Sequence, residues 1–362
     1  MNTAANLVMN ADTNAATNAA TNAAMNVATN AAYDATPDAS DAAPDAAPDA
    51  AFPGYPALPP GSLIAIVAPA GPVAAERLAQ LPMLYQRYGY RCRVYAGCSQ
   101  RAGYLAGNDD ARLADLHAAL ADDGVAALHA LRGGYGCMRL LDRVDTRLLR
   151  AKPKLLIGYS DLTALHALWA REGLPSLHAP MPASDLLLPG READSDALFA
   201  LLHSGLQAGA VLAPALQASS LNVPGVAEGP LIGGNLSLVA ALLGTPWAWK
   251  PQGAILFLED INEELYRVDR LLTQLRLAGV LAAVKGFVLG SFTEATAPTE
   301  LLRQMLVSLN KPLLAGWPTG HGTPHRPLPM NVRVMLDSRG SESGKGGTLT
   351  LRSSLLSSKI AP

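Results

Sequence analysis

The residues best placed to do chemistry lie in Leu155-Leu156-Ile157-Gly158-Tyr159-Ser160-Asp161-Leu162. An apolar run stops at Gly158, Ser160 falls at the bend, and Leu162, Leu165, Leu168 and Trp169 follow at helical spacing. That pattern predicts a strand, a sharp turn and a helix, with a hydroxyl projecting from the carboxyl edge of a sheet. The free N–H groups of the helix start favour negative charge beside it. An acyl-transfer nucleophile needs this placement. It also needs help, because serine is a weak nucleophile at neutral pH without a base in reach and a carboxylate to orient that base.

Seven histidines are available as the base. His117, His129 and His166 fall inside predicted elements, where a satisfied structural role is the ordinary expectation. His178 ends a short strand and His203 sits in a helix. His321 differs, because Pro318-Thr319-Gly320-His321-Gly322 places it between glycines in a loop, where an imidazole is exposed and the backbone can approach a ligand closely. His325, four residues on, raises a metal pair as an alternative. Two nearby prolines argue against it, since this spacing has meaning on a helix. The carboxylate candidates end the apolar run Leu256-Phe257-Leu258-Glu259-Asp260, with a solvated turn as the competing reading. Glu263, Glu264, Asp269, Arg267 and Arg270 read as ion pairs around a helix start. Arg132-Gly133-Gly134-Tyr135-Gly136 is a glycine turn after a strand. It lacks the phosphate-loop lysine and the dinucleotide spacing, so a nucleotide cradle is a poor fit. Its N–H groups, with that of Asp161, could instead stabilise an oxyanion; a tight turn with no ligand is the competing reading.

The elements that would position these groups alternate. Strands are predicted at 63–68, 91–95, 125–131 and 154–157, with helices at 74–88, broken near Pro82, and at 109–121, capped by Asn108, Asp109 and Asp110. This alternation implies a parallel sheet with crossover helices. Prolines punctuate 182–228, read as a linker with one helix near 195–204. A second unit, 229–345, holds Gly233-Gly234-Asn235 before a helix, strands at 254–258 and 286–290, and a helix at 268–278. Residues 346–362 carry a final strand and tail, and the Ser- and Gly-rich 338–346 reads as a mobile loop.

The chain has 362 residues, 49% hydrophobic, with a net charge of −2. That length allows two domains, 56–181 and 229–345. The balanced charge gives no electrostatic case for nucleic acid or an anionic membrane as partner. No apolar stretch is long enough to span a membrane. Cys92, Cys98 and Cys137 form no metal or disulfide spacing, which fits a reducing compartment. Residues 1–55 are low in complexity, with Asn-Ala-Ala repeats that give way to Pro-Asp-Ala-Ala and no Lys or Arg before Arg77. The segment lacks the charged start and apolar core of a secretory leader. It is expected to be disordered, because it has too few large apolar side chains to offset its ordering entropy.

Several motifs in order resemble one family, the LD-carboxypeptidases or muramoyltetrapeptide carboxypeptidases. They are Ile66-Val67-Ala68-Pro69 with Gly71-Pro72; Tyr104-Leu105-Ala106-Gly107 with Asp109, Arg112 and Asp115-Leu116; Arg132 to Gly136; Gly158 to Leu162; Gly233-Gly234-Asn235-Leu236; Leu258-Glu259-Asp260 with Glu264, Tyr266, Arg267, Asp269 and Arg270; and Gly320-His321-Gly322. The resemblance covers about residues 60–337. It implies an α/β chain in which a Rossmann-like (flavodoxin-like) parallel-sheet domain precedes a mixed, β-rich domain, with the active site at their interface. It further implies Ser160 as nucleophile, His321 as base and Glu259 as its orienter, with an oxyanion hole from the N–H groups of Gly134 and Asp161. Tyr135 and Asn235 are the expected substrate contacts.

The implied reaction is hydrolysis of the amide between meso-diaminopimelate and terminal D-alanine of muropeptide tetrapeptides, in peptidoglycan recycling. No metal or cofactor is implied; a cytoplasmic homodimer is. A branch resembling microcin C immunity peptidases would turn the same triad on an aminoacyl- or peptidyl-nucleotide amide; Trp247 or Trp249 could serve it as a base platform, with a core role as the favoured competing reading. The Asn/Ala/Asp tail is outside the family pattern, and Pro329-Met330-Asn331 stands where a Pro-x-Gly is usual. An ordinary α/β-hydrolase esterase fits less well, because Leu162 stands where the nucleophile elbow wants glycine. A binding protein with a bystander serine would require the triad and both glycine turns to be coincidental.

Overall fold

The computed structural model describes residues 52–214, 219–293, 296–340 and 346–357. The tail expected to be disordered lies outside the described residues from 1 to 51, as do 341–345 of the loop expected to be mobile. No helix among the described residues is long and apolar enough to cross a membrane.

After a two-residue strand at Tyr55–Pro56, paired parallel with Leu356–Ser357, the chain enters β1 (Leu63–Val67), whose five residues are all buried. A strand covered on both faces reads as an unbroken apolar run rather than an alternation. A helical turn at Ala75–Leu78 stops before α1 (Leu81–Arg87), where Pro82 sits in the first turn and tolerates its missing N–H. β2 (Arg91–Val94) follows, then α2 (Asp109–Ala121), whose start is capped by the Asn108 side chain accepting the Ala111 N–H at 2.8 Å. β3 (Val125–Ala130), β4 (Leu155–Gly158), α3 (Thr163–Arg171) and β5 (Ser176–His178) complete the first half. The strands run parallel in the order β2-β1-β3-β4-β5, the flavodoxin-like order.

The segment expected to be a linker is largely structured. It holds a helical turn at Pro182–Leu186, α4 (Glu192–Ser204) and a short strand at Val211–Leu212. β6 (Val226–Asn235) then starts the second sheet and runs directly into α5 (Leu236–Ala241). β7 (Ile255–Ile261), α6 (Leu265–Leu277), β8 (Gly286–Thr293) and β9 (Leu313–Ala315) follow. The strands β9-β8-β7-β6 are parallel.

β10 (Leu328–Met330), inside the segment assigned to the second unit, returns to the first sheet and pairs antiparallel with β5, Leu328 opposite His178. β11 (Arg333–Asp337) and β12 (Thr348–Leu351) then extend the second sheet antiparallel from β6, with Val211–Leu212 at its edge.

The two sheets share a core. One apolar cluster runs from Leu156 through Leu165 and Trp169 to Leu256, Leu258 and Phe287. Thr163 to Trp169 are all buried, because α3 lies under the second sheet, where Thr163 Oγ1 accepts the Asn235 N–H at 3.0 Å. Trp169 is fully buried and donates its indole N–H to the Lys154 carbonyl at 3.0 Å. Burial of a side chain this size contributes about 2–3 kcal/mol. The seam between the sheets is thus a packed contact rather than a hinge of two loosely joined halves.

Candidate active site

Ser160 stands at the carboxyl end of β4 with φ 63°, one of few non-glycine residues in the left-handed region. That conformation costs about 1–2 kcal/mol. It is paid where extended Tyr159 meets the helical turn Ser160–Leu162 and the chain must reverse sharply. The expected strand–turn–helix is therefore present, with the serine at its bend.

The Arg132–Gly136 turn lies against this bend. A Cβ on Gly133 would come within 2.8 Å of Ser160 Cβ and 2.9 Å of its Oγ, so only glycine permits the approach. The Gly133 carbonyl accepts the Gly71 N–H at 3.1 Å. In a trans peptide the N–H points opposite to the carbonyl, so the Gly134 N–H is turned away from Gly71. Neither it nor the Asp161 N–H donates to a protein acceptor among the described residues. Asp161 also ties the two turns together. Its buried carboxylate accepts the Cys137 N–H at 2.8 Å, and burial raises its pKa. Behind the turn, the buried Arg112 bonds the Pro69 carbonyl and pairs with Asp109, which also takes Arg139. Asp109 and Arg112 thus build the support of the turn.

Glu259 and His321 come from the second half. Glu259 sits near the end of β7, fully buried, paired in register with Asn235 of β6. Its Oε2 accepts from His321 Nδ1 at 2.7 Å and from the His321 backbone N–H at 3.3 Å. Gly320 makes this possible: at φ 115°, with a position where a Cβ would meet Glu259 Oε2 at 2.6 Å, no side chain fits. Ser291 Oγ accepts the Gly322 N–H at 2.8 Å and anchors the far side of the loop.

Burial pushes the Glu259 carboxyl up, but the adjacent His321 and His178 outweigh it and hold it well below the usual carboxylate range. An ionised carboxylate only accepts hydrogen bonds. Nδ1 of His321 is therefore the protonated nitrogen, which leaves Nε2 as the basic one. Burial also opposes the charge on His321, yet Glu259, Asp260 and Asp185 together raise its pKa above 6.5. The carboxylate–imidazole pair is thus closed. Ser160 Oγ makes no hydrogen bond within the protein among the described residues; a nucleophile–base contact commonly tightens only when substrate is bound.

Glu259→Gln tests this electrostatic arrangement. Without the carboxylate charge, burial governs His321 and its pKa falls. A base works unprotonated, so the ascending limb of kcat/KM, above pH 6.5 in the wild type, should move to lower pH in the variant. The plateau should drop by about 10⁴-fold, because the amide no longer enforces the tautomer. A limb that stays in place, measured from pH 5 to 9, would contradict the proposed role of Glu259.

The other expected positions divide. Tyr135 is 45% exposed and lines a cavity with Gly71, Pro72, Arg101, Tyr104, Arg132 and Gly134. Asn235, expected to touch substrate, is buried and has its amide engaged within the protein. It caps α5 by accepting the Leu238 N–H at 3.2 Å and donates to Asp260 at 2.7 Å. Asp260 accepts in addition from Ser237 and Ile261, so of the two acids at this strand end only Glu259 reaches His321. Trp249 is buried, and Trp247 packs on the same core, which removes both as a base platform. His129 bonds Tyr85 and the Pro180 carbonyl, and His166 bonds Ser176 and the Gly158 carbonyl, as structural histidines do. Glu263 pairs with Arg267 at 3.8 Å, while Arg267 and Arg270 lie over Tyr266.

Sequence reasoning missed the ring cluster behind the triad. The Tyr159 ring centroid lies 4.8 Å from that of His321 and 4.5 Å from that of His325, and its hydroxyl donates to Asp185 at 3.1 Å. His178 Nε2 is 3.9 Å from the second Glu259 oxygen. Burial lowers the pKa of both His178 and His325, so these rings are neutral walls beside the His321 imidazole. Strand order would have found His178, which ends β5 directly beside Gly158 of β4.

A parallel sheet of flavodoxin-like order, a strained serine at a strand end and a carboxylate–imidazole pair delivered from a second sheet define a hydrolase of serine type. Family comparison agrees. Residues 64–179 match the LD-carboxypeptidase N-terminal domain and residues 228–336 the LD-carboxypeptidase C-terminal domain. The chain belongs to the LD-carboxypeptidase family and is a serine-type carboxypeptidase. It is 33% identical over 291 residues to the probable murein peptide carboxypeptidase of Bacillus subtilis (strain 168), covering 78% of this chain and 91% of that protein. It resembles the crystal structure of muramoyltetrapeptide carboxypeptidase from Oxalobacter formigenes with a TM-score of 0.70 and 32% identity, over 80% of this chain and 98% of that one. The structure of MccF in complex with glutamyl sulfamoyl guanosine shares the fold at a TM-score of 0.75 and 22% identity, over 84% and 100%.

Proposed function

We propose that the chain hydrolyses the amide between meso-diaminopimelate and terminal D-alanine of muropeptide tetrapeptides, as a step of peptidoglycan recycling in the cytoplasm. Ser160 attacks the carbonyl, and His321 takes its proton and passes it to the departing D-alanine nitrogen. The Gly134 and Asp161 N–H groups hold the oxyanion. Water, deprotonated by the same imidazole, then releases the tripeptide from Ser160. The observation that carries this reading is the 2.7 Å contact between Glu259 and His321, whose ring lies 4.8 Å from that of Tyr159, the residue before the strained Ser160. The names of the relatives from Bacillus subtilis and Oxalobacter formigenes support the peptide substrate. A homodimer accompanies the family reading.

One observation favours a second reading. Tyr104 and Tyr135 are 65% and 45% exposed, with ring centroids 5.8 Å apart at the cavity mouth, and exposed rings can stack a nucleobase. Competition between substrates separates the two. Incubated with equimolar tetrapeptide and glutamyl sulfamoyl guanosine, the protein should release D-alanine with a kcat/KM at least about 100-fold above that for the nucleoside amide, a difference of ~2.7 kcal/mol in transition-state binding. The reverse ratio would transfer the assignment to the nucleotide class.

A further inference from the structure

In an open parallel sheet, ligands bind beyond the carboxyl ends of the strands, where the strand order reverses. Here the reversal falls between β1 and β3. The chain leaves β1 through Gly71 and Pro72, and β3 through Arg132 to Gly134. Between them opens a cavity of about 540 Å³ that also takes in Arg101, Tyr104 and Tyr135. A second cavity, about 420 Å³, shares Pro72, Arg101 and Arg132 with the first and continues to Arg77, Ala183 and Ser184. Neither lining contains an acidic residue. In a chain of net charge −2, three guanidinium groups thus share one crevice with no carboxylate.

Their partners leave them free for a ligand. Arg132 bonds two carbonyls, Gly133 at 3.2 Å through Nε and Pro72 at 3.3 Å through Nη1, so its Nη2 remains. Arg77 donates one Nη1 bond to the Ala183 carbonyl. No side-chain hydrogen bond or ion pair of Arg101 occurs among the described residues. Guanidinium forks match carboxylates bidentately. The crevice reaches the catalytic turn through Gly134, while Gly133 of the same turn touches Ser160.

We infer that this arginine-lined crevice at the β1–β3 switch point is an anion subsite that takes the carboxylates of the peptide substrate outside the scissile amide. The inference rests on the peptide reading given above and adds the chemical feature by which the peptide is chosen. A stem that carries free carboxylates would lie along Arg132, Arg101 and Arg77, with its apolar stretches against Tyr104 and Tyr135. A neutral, amidated stem would lose these contacts. Attraction through exposed guanidinium groups is also screened, so affinity should fall as ionic strength rises.

The test measures binding by calorimetry in the Ser160→Ala background, with the tetrapeptide, its carboxamide derivative and glutamyl sulfamoyl guanosine as ligands. Arg101 is the residue to change, because it holds no other part of the protein in place. Arg101→Ala should weaken the tetrapeptide about tenfold or more, Arg101→Glu further, and Arg101→Lys should recover part of the loss. The carboxamide should bind weakly in every variant. In the active enzyme, Arg101→Ala should raise KM and leave kcat at saturation within about twofold. Equal tetrapeptide affinity with and without Arg101 would overturn the subsite. So would an arginine dependence confined to the nucleoside ligand, or no tetrapeptide binding at all. Arginine-dependent tetrapeptide binding without D-alanine release by the wild type would sink the proposed reaction and leave the subsite standing.

Discussion

Ser160→Ala is expected to abolish turnover, with kcat falling about 10⁶-fold while substrate affinity is kept. No neighbour can replace the hydroxyl. The Tyr159 phenol donates to Asp185 and burial pushes its pKa well above 10. Thr163 Oγ1 accepts the Asn235 N–H, and the buried Cys137 thiol is pushed well above its usual value. Folding should hardly respond, because Ser160 is half-buried and its Oγ has no partner among the described residues to lose. A stability change within about 0.5 kcal/mol, from chemical denaturation, together with lost D-alanine release would meet the expectation. A folded variant that keeps a tenth of wild-type turnover would not.

His321→Ala should cost as much in rate, about 10⁶-fold, and more in stability. It removes the imidazole proposed as base, the one ring of the three histidines around Tyr159 whose pKa burial does not bring below its usual value. It also strands Glu259, whose Oε1 already has no hydrogen bond. A buried carboxylate stripped of its partner costs about 3–5 kcal/mol. The pH dependence follows from the two shifts. The Glu259 pKa is depressed in the folded protein, so its stabilising share is complete above the ordinary 4.5 and fades as pH falls through the lowered value. The His321 pKa is raised, so its share is complete below the ordinary 6.5 and fades as pH rises through the raised value. The stability gap between wild type and variant should therefore be widest between pH 4.5 and 6.5. Urea midpoints across pH 4 to 9 would reveal it; a gap that keeps growing above pH 7 would contradict the pairing.

Much of this site was legible in sequence because it rests on local rules. A buried parallel strand, a turn and a helix start announce Ser160, and a loop of glycines announces His321. Gly320 shows why the glycine mattered, since the loop passes so close to Glu259 that a Cβ has no room. What sequence could not give was decided by distant pairing. Asn235 follows two glycines and looks ligand-facing, yet the register of β6 with β7 sets it beside Asp260 as a helix cap. Glu259 and Asp260 are neighbours with equal claims by composition, and the alternation of the strand sends only one toward His321. The return of Leu328–Met330 to the first sheet breaks the simple division into successive units. Its apolar pattern carries no mark of which sheet it will join. His178 and Tyr159 became visible as neighbours of the triad only once β4, β5 and the histidine loop were placed together.

The central claim is that acyl transfer passes through Ser160. The most direct measurement uses an ester analogue, the tripeptide joined to D-lactate in place of D-alanine. The better leaving group speeds acylation without changing deacylation, so the acyl-enzyme accumulates. After acid quench, intact-mass and peptide-level mass spectrometry should show the protein heavier by one tripeptide acyl group, carried on Ser160. Steady hydrolysis of the ester by the wild type with the adduct on another residue, or equal hydrolysis by Ser160→Ala, would contradict the account.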